Sequence, residues 1–391
     1  MNILKLTECS ALKSASYNRK VKQDPLDARN ARRFLREFWQ RKPLFARAVL
    51  PQLDAAIDRA GLIELACRDD VESRLVMRAG KRWRVEHGPF RRRDFTRLPR
   101  RNWTLLVNGV ENYVPAARQL QQRFGFVPYA RQDDVMVSYA APGGGVGPHY
   151  DSYDVFLLQG TGARRWQISN QSDLALVAGA PLKILHRFRP RREWLVTAGD
   201  LLYLPPNYAH HGVAVGECIT WSIGFRAPGR QEMAARFLDF LHDNLQLDGG
   251  YRDPGLRQQR EPAAIGNTML RKVRAMVNSI HWGEADIVRC LGEYLTEPRS
   301  NIVFDTSRRL SARQFARLAG KNGLRLALKS RMLFRGGMIF INGESAAAGA
   351  SARRTLQRLA NERSLAPATR FDEGTRDLLY QWYRSGYVEI G

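Results

Sequence analysis

Residues 141–168, APGGGVGPHYDSYDVFLLQGTGARRWQI, decide how this chain folds and where its chemistry lies. Glycines and a proline punctuate the start, an apolar run (VFLLQG) follows, and Gly160–Gly162 turns the chain into a second strand, RRWQIS. That alternation of short β-rich runs with turn residues predicts a pair of antiparallel strands. His149 and Asp151 stand two apart in a stretch read as extended, so both side chains leave the same face. One imidazole and one carboxylate presented side by side are two adjacent ligands for a metal.

About sixty residues later comes AGDLLYLPPNYAHHGV, 198–213. Gly199 and Asp200 turn the chain, Leu201–Leu204 form a buried strand, and Pro205-Pro206 stiffen its exit. His210 then projects from the following loop or strand start. Two histidines and one carboxylate on one side of a metal form the facial triad of non-haem Fe(II) oxygenases, with three positions left open. A zinc hydrolase would draw on the same ligand types, but it needs a glutamate base such as HExxH supplies, and none stands near the pair. An open ferrous site that uses 2-oxoglutarate also needs a cation for the distal carboxylate. Arg164 and Arg165 follow the Gly160–Gly162 turn, and because strand faces alternate, only one of them points inward. Ser138, on the preceding strand, offers a hydroxyl donor.

The surrounding segments fit a jelly-roll frame. DVMVSYA, DVFLLQG, RRWQIS, EWLVTAG, DLLYLPP and CITWSIGF occupy 134–226 at the spacing of a sandwich or barrel. Before them, SRLVMR, KRWRVEH and WTLLVNGV read as strands, and 27–39 as a helix. That helix places Phe34, Leu35, Phe38 and Trp39 on one face, with Asp27 as its cap. After Pro228 the periodicity becomes helical. Ser311 caps a helix ending at Gly320, MLFR-GG-MIFIN is a hairpin turning at Gly336-Gly337, and helices follow near 351–361 and 373–385. The chain thus divides into an N-terminal flank (1–104), a catalytic β-rich region of the jelly-roll kind (105–228), a helical segment with apolar faces (229–300) and a small α+β winged-helix-like unit (301–391). The predicted class is α+β.

Composition narrows the setting. The 391 residues are 44% apolar and 26% charged, a globular balance. No apolar run approaches the roughly 18–20 residues of a membrane-spanning helix, and the start lacks a secretory h-region. Cys9, Cys67, Cys218 and Cys290 lie far apart with no CxxC pair, which predicts reduced thiols in a cytoplasmic protein. Lys and Arg number 62 against 38 Asp and Glu, a net charge of +24. Residues 301–391 hold 16 basic and 7 acidic residues, so the charge is spread along the chain. A field of that size predicts a polyanionic neighbour such as an RNA-containing particle.

PGGGVGPHYDSYDVFLLQGTGARRW, GDLLYLPPNYAHHG, SIGFRAP and the closing LLYQWYRSGYVEI together resemble the JmjC-type ribosomal oxygenases. The likeness is strongest to the bacterial members, cupin-fold arginine hydroxylases acting on ribosomal protein sixteen of the large subunit. It runs from about residue 30 to the C-terminus. The resemblance implies iron on His149, Asp151 and His210, the 2-oxoglutarate carboxylate on Arg164, and a supporting hydroxyl from Ser138. It implies an arginine hydroxylated at its β-carbon with release of succinate and CO2. It also implies a JmjC double-stranded β-helix (cupin jelly roll) as the catalytic core, then a helical dimerisation segment, hence a homodimer, ahead of the winged-helix-like domain. The doubled histidine (His210-His211) and some twenty-five extra N-terminal residues depart from the pattern. Two other readings use the same residues: a JmjC N-methyl-lysine demethylase, and a nucleic-acid-binding regulator in which a cupin sensor serves a basic winged helix.

Overall fold

Along Val155–Leu158 successive side chains face opposite ways, and both sides are buried: Val155 and Leu157 in one apolar cluster, Phe156 and Leu158 in another. A two-sided strand of this kind must lie inside a layered structure. The computed structural model describes residues 28–50, 56–80, 82–306 and 310–391. The N-terminal flank carries α1 (Ala28–Glu37), β1 (Leu44–Ala46), α2 (Arg59–Ala66), β2 (Ser73–Ala79), β3 (Arg82–His87), α3 (Arg92–Thr96) and β4 (Trp103–Val107). The central region adds α4 (Pro115–Gln122), β5 (Gln132–Ala140), β6 (Val155–Thr161), β7 (Ala163–Ser169), β8 (Arg192–Thr197), β9 (Leu201–Leu204), β10 (Ala209–Ala214) and β11 (Cys218–Phe225).

Eight strands form a large antiparallel sheet in the order β1-β9-β6-β11-β5-β4-β2-β3, and β10-β7-β8 form a smaller one. Between the sheets lie Val155, Leu157, Trp166, Ile168, Val196, Leu202 and Leu204. On the outer face of the large sheet, Phe156, Tyr203 and Phe225 meet Phe34 and Phe124, with Phe34–Tyr203 and Phe124–Phe156 ring centroids 4.8 Å apart. Burying each such ring contributes about 1.5–3 kcal/mol. The flank is therefore part of this β unit: β2, β3 and β4 extend its large sheet beyond β5.

The N-terminal helix differs from its expectation. Phe34 is buried, but Leu35 lies about 100° further round the helix and faces solvent. The helix ends at Glu37, so Phe38 and Trp39 reach the core from the turn beyond it. Asp27, the expected cap, lies outside the described residues.

Beyond the β unit come α5 (Arg230–Asn244), α6 (Asn267–Asn278) and α7 (Glu284–Thr296). The C-terminal unit holds α8 (Ala312–Asn322), β12 (Leu324–Leu326), β13 (Met332–Arg335), β14 (Met338–Ile341), β15 (Glu344–Ala347), α9 (Ala350–Glu362), β16 (Ser364–Leu365), α10 (Glu373–Arg384) and β17 (Val388–Ile390). Phe315, Ile339, Leu356, Leu359, Leu379 and Trp382 make its own core. Ser311 caps α8 by accepting from the Gln314 N–H at 3.3 Å. The helix runs two residues past Gly320 and stops at Gly323, whose φ of +82° is the left-handed value that glycine tolerates. β13 and β14 form the expected hairpin, which turns at Gly336 and Gly337. α7 packs against this hairpin, with Gly292 lying on the Phe340 ring. The helical segment 229–300 thus shares its last helix with the C-terminal unit.

Candidate active site

His149 lies in the connection between β5 and β6, and not inside a strand as its spacing suggested. Its backbone nonetheless pairs with His210 as an isolated antiparallel bridge, with N···O distances of 3.0 and 2.8 Å. This bridge holds the segment extended enough for His149 and Asp151 to reach the same space. His210 is the second residue of β10 and is buried. The Asn207 N–H donates to the Asp151 carbonyl at 2.6 Å, so the turn after Pro206 also anchors the carboxylate residue. Asp200 has a different task. Its carboxylate accepts from Ala48 N, Arg47 Nη1, Thr197 N and Thr197 Oγ1 at 2.8–3.0 Å, which closes the turn before β9.

The structure brings His149, Asp151 and His210 together, with one ligand atom from each lying within 4.8 Å of the others. The tautomers suit a metal. His149 Nδ1 contacts the Gly147 carbonyl at 2.9 Å, and His210 Nδ1 contacts the Tyr208 carbonyl at 2.8 Å. A carbonyl only accepts, so each Nδ1 carries the proton and each Nε2 turns an unprotonated lone pair to the shared space. Burial and the neighbouring His149 push the His210 pKa down to about 4, against the pull of Asp151, so this imidazole is neutral at pH 7. His211 points to the other side of the small sheet, near the Phe188 ring.

Arg164 and Arg165 part as strand alternation requires. Arg165 is exposed and pairs with Glu193. Arg164 is 4% exposed, with Nη2 3.7 Å from the Cys218 thiol and Nε buried without a partner. Trp166, two residues along on the same face, has its Nε1–H similarly buried and unpartnered. The Trp166 ring lies 5.7 Å from the Arg164 guanidinium carbon and 5.8 Å from the His210 ring, so it bridges the two. Ser138 sits opposite Thr220 and donates to its carbonyl at 3.4 Å. It is one pleat from Ala140, which pairs with Cys218 beside Arg164.

A scan against protein-family models matches a JmjC domain at residues 119–233 and a ROXA-like winged helix at 277–389. A probable ribosomal oxygenase of Haemophilus influenzae is 38% identical over 249 residues, which span 62% of this chain and 61% of that relative. Ribosomal protein uL16 3-hydroxylase of Escherichia coli is 32% identical over 270 residues, 69% of this chain and 72% of the relative. The chain belongs to the JmjC ribosomal oxygenases. The X-ray structure of Escherichia coli YcfD superposes on this family member with a TM-score of 0.81 at 30% identity, covering 92% of this chain and 98% of the other. A second YcfD structure, in complex with cobalt and 2-oxoglutarate, superposes with a TM-score of 0.78.

The residues of this oxygenase fit the groups such a site uses. Two imidazole nitrogens and one carboxylate suit iron of intermediate hardness better than a cage of thiolates or of oxygens alone. A buried guanidinium with an unpartnered Nε fits an incoming carboxylate. Trp166 went unnoticed in the sequence, although its spacing of two from Arg164 already placed both on one strand face. Gly212 was also missed. A Cβ there would stand 2.6 Å from the Trp166 ring, so only glycine lets the indole lie across β10 beside His210.

Proposed function

We propose that this chain is an Fe(II)- and 2-oxoglutarate-dependent oxygenase that hydroxylates the β-carbon of an arginine on large-subunit ribosomal protein uL16. The observation that carries this reading is the convergence of His149, Asp151 and His210 beside a buried guanidinium that lacks a carboxylate. His149, Asp151 and His210 hold the metal through Nε2, a carboxylate oxygen and Nε2. Arg164 receives the distal carboxylate of 2-oxoglutarate, supported by the Ser138 hydroxyl and the Trp166 N–H. The bound metal and co-substrate supply the oxidation, in which O2 is consumed, succinate and CO2 leave, and one oxygen atom reaches the substrate carbon. The protein orients the reactants and excludes water, with the buried Trp166 ring beside His210.

The setting follows from the same reading. The protein works in the cytoplasm, and among the described residues no helix is long and apolar enough to cross a membrane. It is a homodimer, because α6 buries none of its residues and exposes Met269, Leu270, Val273, Met276 and Val277. The charge of +24 draws it to RNA-containing assembly particles, an attraction that weakens as salt rises.

The test is mass spectrometry of uL16 from cells with and without the gene, together with turnover of a uL16 peptide by the purified chain. A +16 Da arginine that depends on the gene, on Fe(II) and on 2-oxoglutarate is expected. An unmodified arginine with formaldehyde released from a methyl-lysine peptide would replace the reading with the demethylase. Absence of any succinate release would favour the regulator.

A further inference from the structure

Arg118, Arg331 and Arg363 line one cleft between the β unit and the winged-helix unit. Arg118 rises from α4 and is 7% exposed. Its Nη1 donates to Gln121 Oε1 at 2.6 Å, and its Nη2 donates to Asn112 Oδ1 at 3.0 Å and across the cleft to the Leu328 carbonyl. Its Nε has no partner. Arg363, just past α9, donates to the carbonyls of Ser330 at 2.9 Å and Ala327 at 2.7 Å. Arg331 donates in the opposite direction, from the winged-helix unit to the Asp133 carbonyl.

All of these acceptors are neutral. They satisfy hydrogen bonds and leave the charge uncompensated. The carboxylates nearby, Glu111 above all, offset only part of that charge. Asp133 itself lines the cleft, and it and Asp134 are engaged by Arg226 and Arg299 at 3.2–3.4 Å. Glu111 alone remains, buried, with Oε2 accepting from the Val135 N–H and Oε1 unpartnered. Burial holds all three arginines below their usual pKa, Arg118 at about 10 even though Glu111 pulls it back up, and a neighbouring guanidinium (Arg226 for Arg331, Arg118 for Arg363) lowers the other two further. Keeping several like charges together out of water is costly unless an opposite charge joins them.

We propose that this interdomain cleft binds a small free oxyanion of the phosphate class on Arg118, Arg331 and Arg363. Guanidinium forks match tetrahedral oxyanions in a bidentate manner. Tyr129 and Gln132 line the same cleft, where they donate to the carbonyls of Asn361 at 3.3 Å and Gln121 at 3.4 Å. The cleft's cavity is small, about 40 Å³, which limits the occupant to one compact ion. Because Arg118 belongs to the β unit and the other two to the winged-helix unit, the bound ion ties the units together.

Equilibrium dialysis of the full chain against labelled inorganic phosphate, at constant ionic strength and without 2-oxoglutarate, tests this. One phosphate per chain is expected, displaced by sulfate but not by chloride, with a saturable rise in Tm. Arg331→Gln and Arg118→Gln should each weaken binding roughly ten- to hundred-fold, the worth of a charge-assisted hydrogen bond. Should either variant fail to fold by circular dichroism, the wild-type result decides. No phosphate bound at millimolar concentration overturns the proposal, as does undiminished binding in both folded variants. Displacement of the phosphate by a 5′-phosphorylated oligoribonucleotide would reassign the cleft to RNA and overturn the free-ion reading.

Discussion

His149 and His210 hold each other in place through their backbones. Each N–H donates to the other's carbonyl, at 3.0 and 2.8 Å, and the two rings lie 4.2 Å apart between centroids. Residues about sixty apart in sequence are thereby brought together before any metal arrives. A site built in this way is preorganised, so its variants should separate metal loss from fold loss.

His149→Ala, Asp151→Ala and His210→Ala should each abolish Fe(II) binding and turnover while the far-ultraviolet circular dichroism stays native. His211→Ala should keep its iron, because that ring faces the Phe188 side of the small sheet. Metal content by inductively coupled plasma mass spectrometry checks this, and iron loss in His211→Ala alone would show the assignment to be reversed.

Arg164→Met should retain iron but raise the KM for 2-oxoglutarate roughly ten- to hundred-fold, since a charge-assisted contact contributes about 1.5–3 kcal/mol. Arg165→Met loses only an exposed pair with Glu193, of little energetic weight, and should stay near normal. Steady-state kinetics with succinate readout distinguishes the two.

Gly212→Ala should push the Trp166 ring out of its place beside His210. Trp166 is buried, so the added methyl group overpacks the space between the sheets and should cost about 1–3 kcal/mol. Chemical denaturation measures the loss, and an unchanged midpoint would show that the indole yields freely.

Val277→Glu should leave the β unit folded and convert the dimer to a monomer, because the residue is 59% exposed on α6, where the proposed partner docks. Light scattering coupled to size exclusion reads the mass. A wild-type chain already monomeric at micromolar concentration would refute the dimer.

Acid should loosen the contact between the β unit and the C-terminal unit. Asp70 accepts from Arg68 at 2.8 and 2.9 Å and from Lys329 of the C-terminal unit at 3.2 Å, which holds its pKa down at about 2. A carboxyl whose pKa is depressed on folding stabilises the fold above its unfolded value, and that contribution is lost as pH falls toward the folded one. The stability of wild type should therefore fall between about pH 4 and pH 2 more steeply than that of Asp70→Asn, as followed by denaturation at each pH.

What the sequence determined by itself was local and periodic. Alternation along RRWQIS separated Arg164 from Arg165 without any coordinates, and the histidine and aspartate spacing identified the three residues that converge. Ser311, the Gly336-Gly337 hairpin and the strand runs were legible for the same reason, since each is a rule about neighbours. Tertiary structure decided what depends on residues far apart. That His149 lies outside any strand, that Leu35 faces water, and that β2 to β4 widen the large sheet are consequences of packing and not of period. The clustering of Arg118 with Arg331 and Arg363 joins residues more than two hundred positions apart, and no local pattern marks an arginine for burial. Side-chain period is set by backbone geometry over a few residues, whereas the partner a buried charge meets is set only when separate units close on each other.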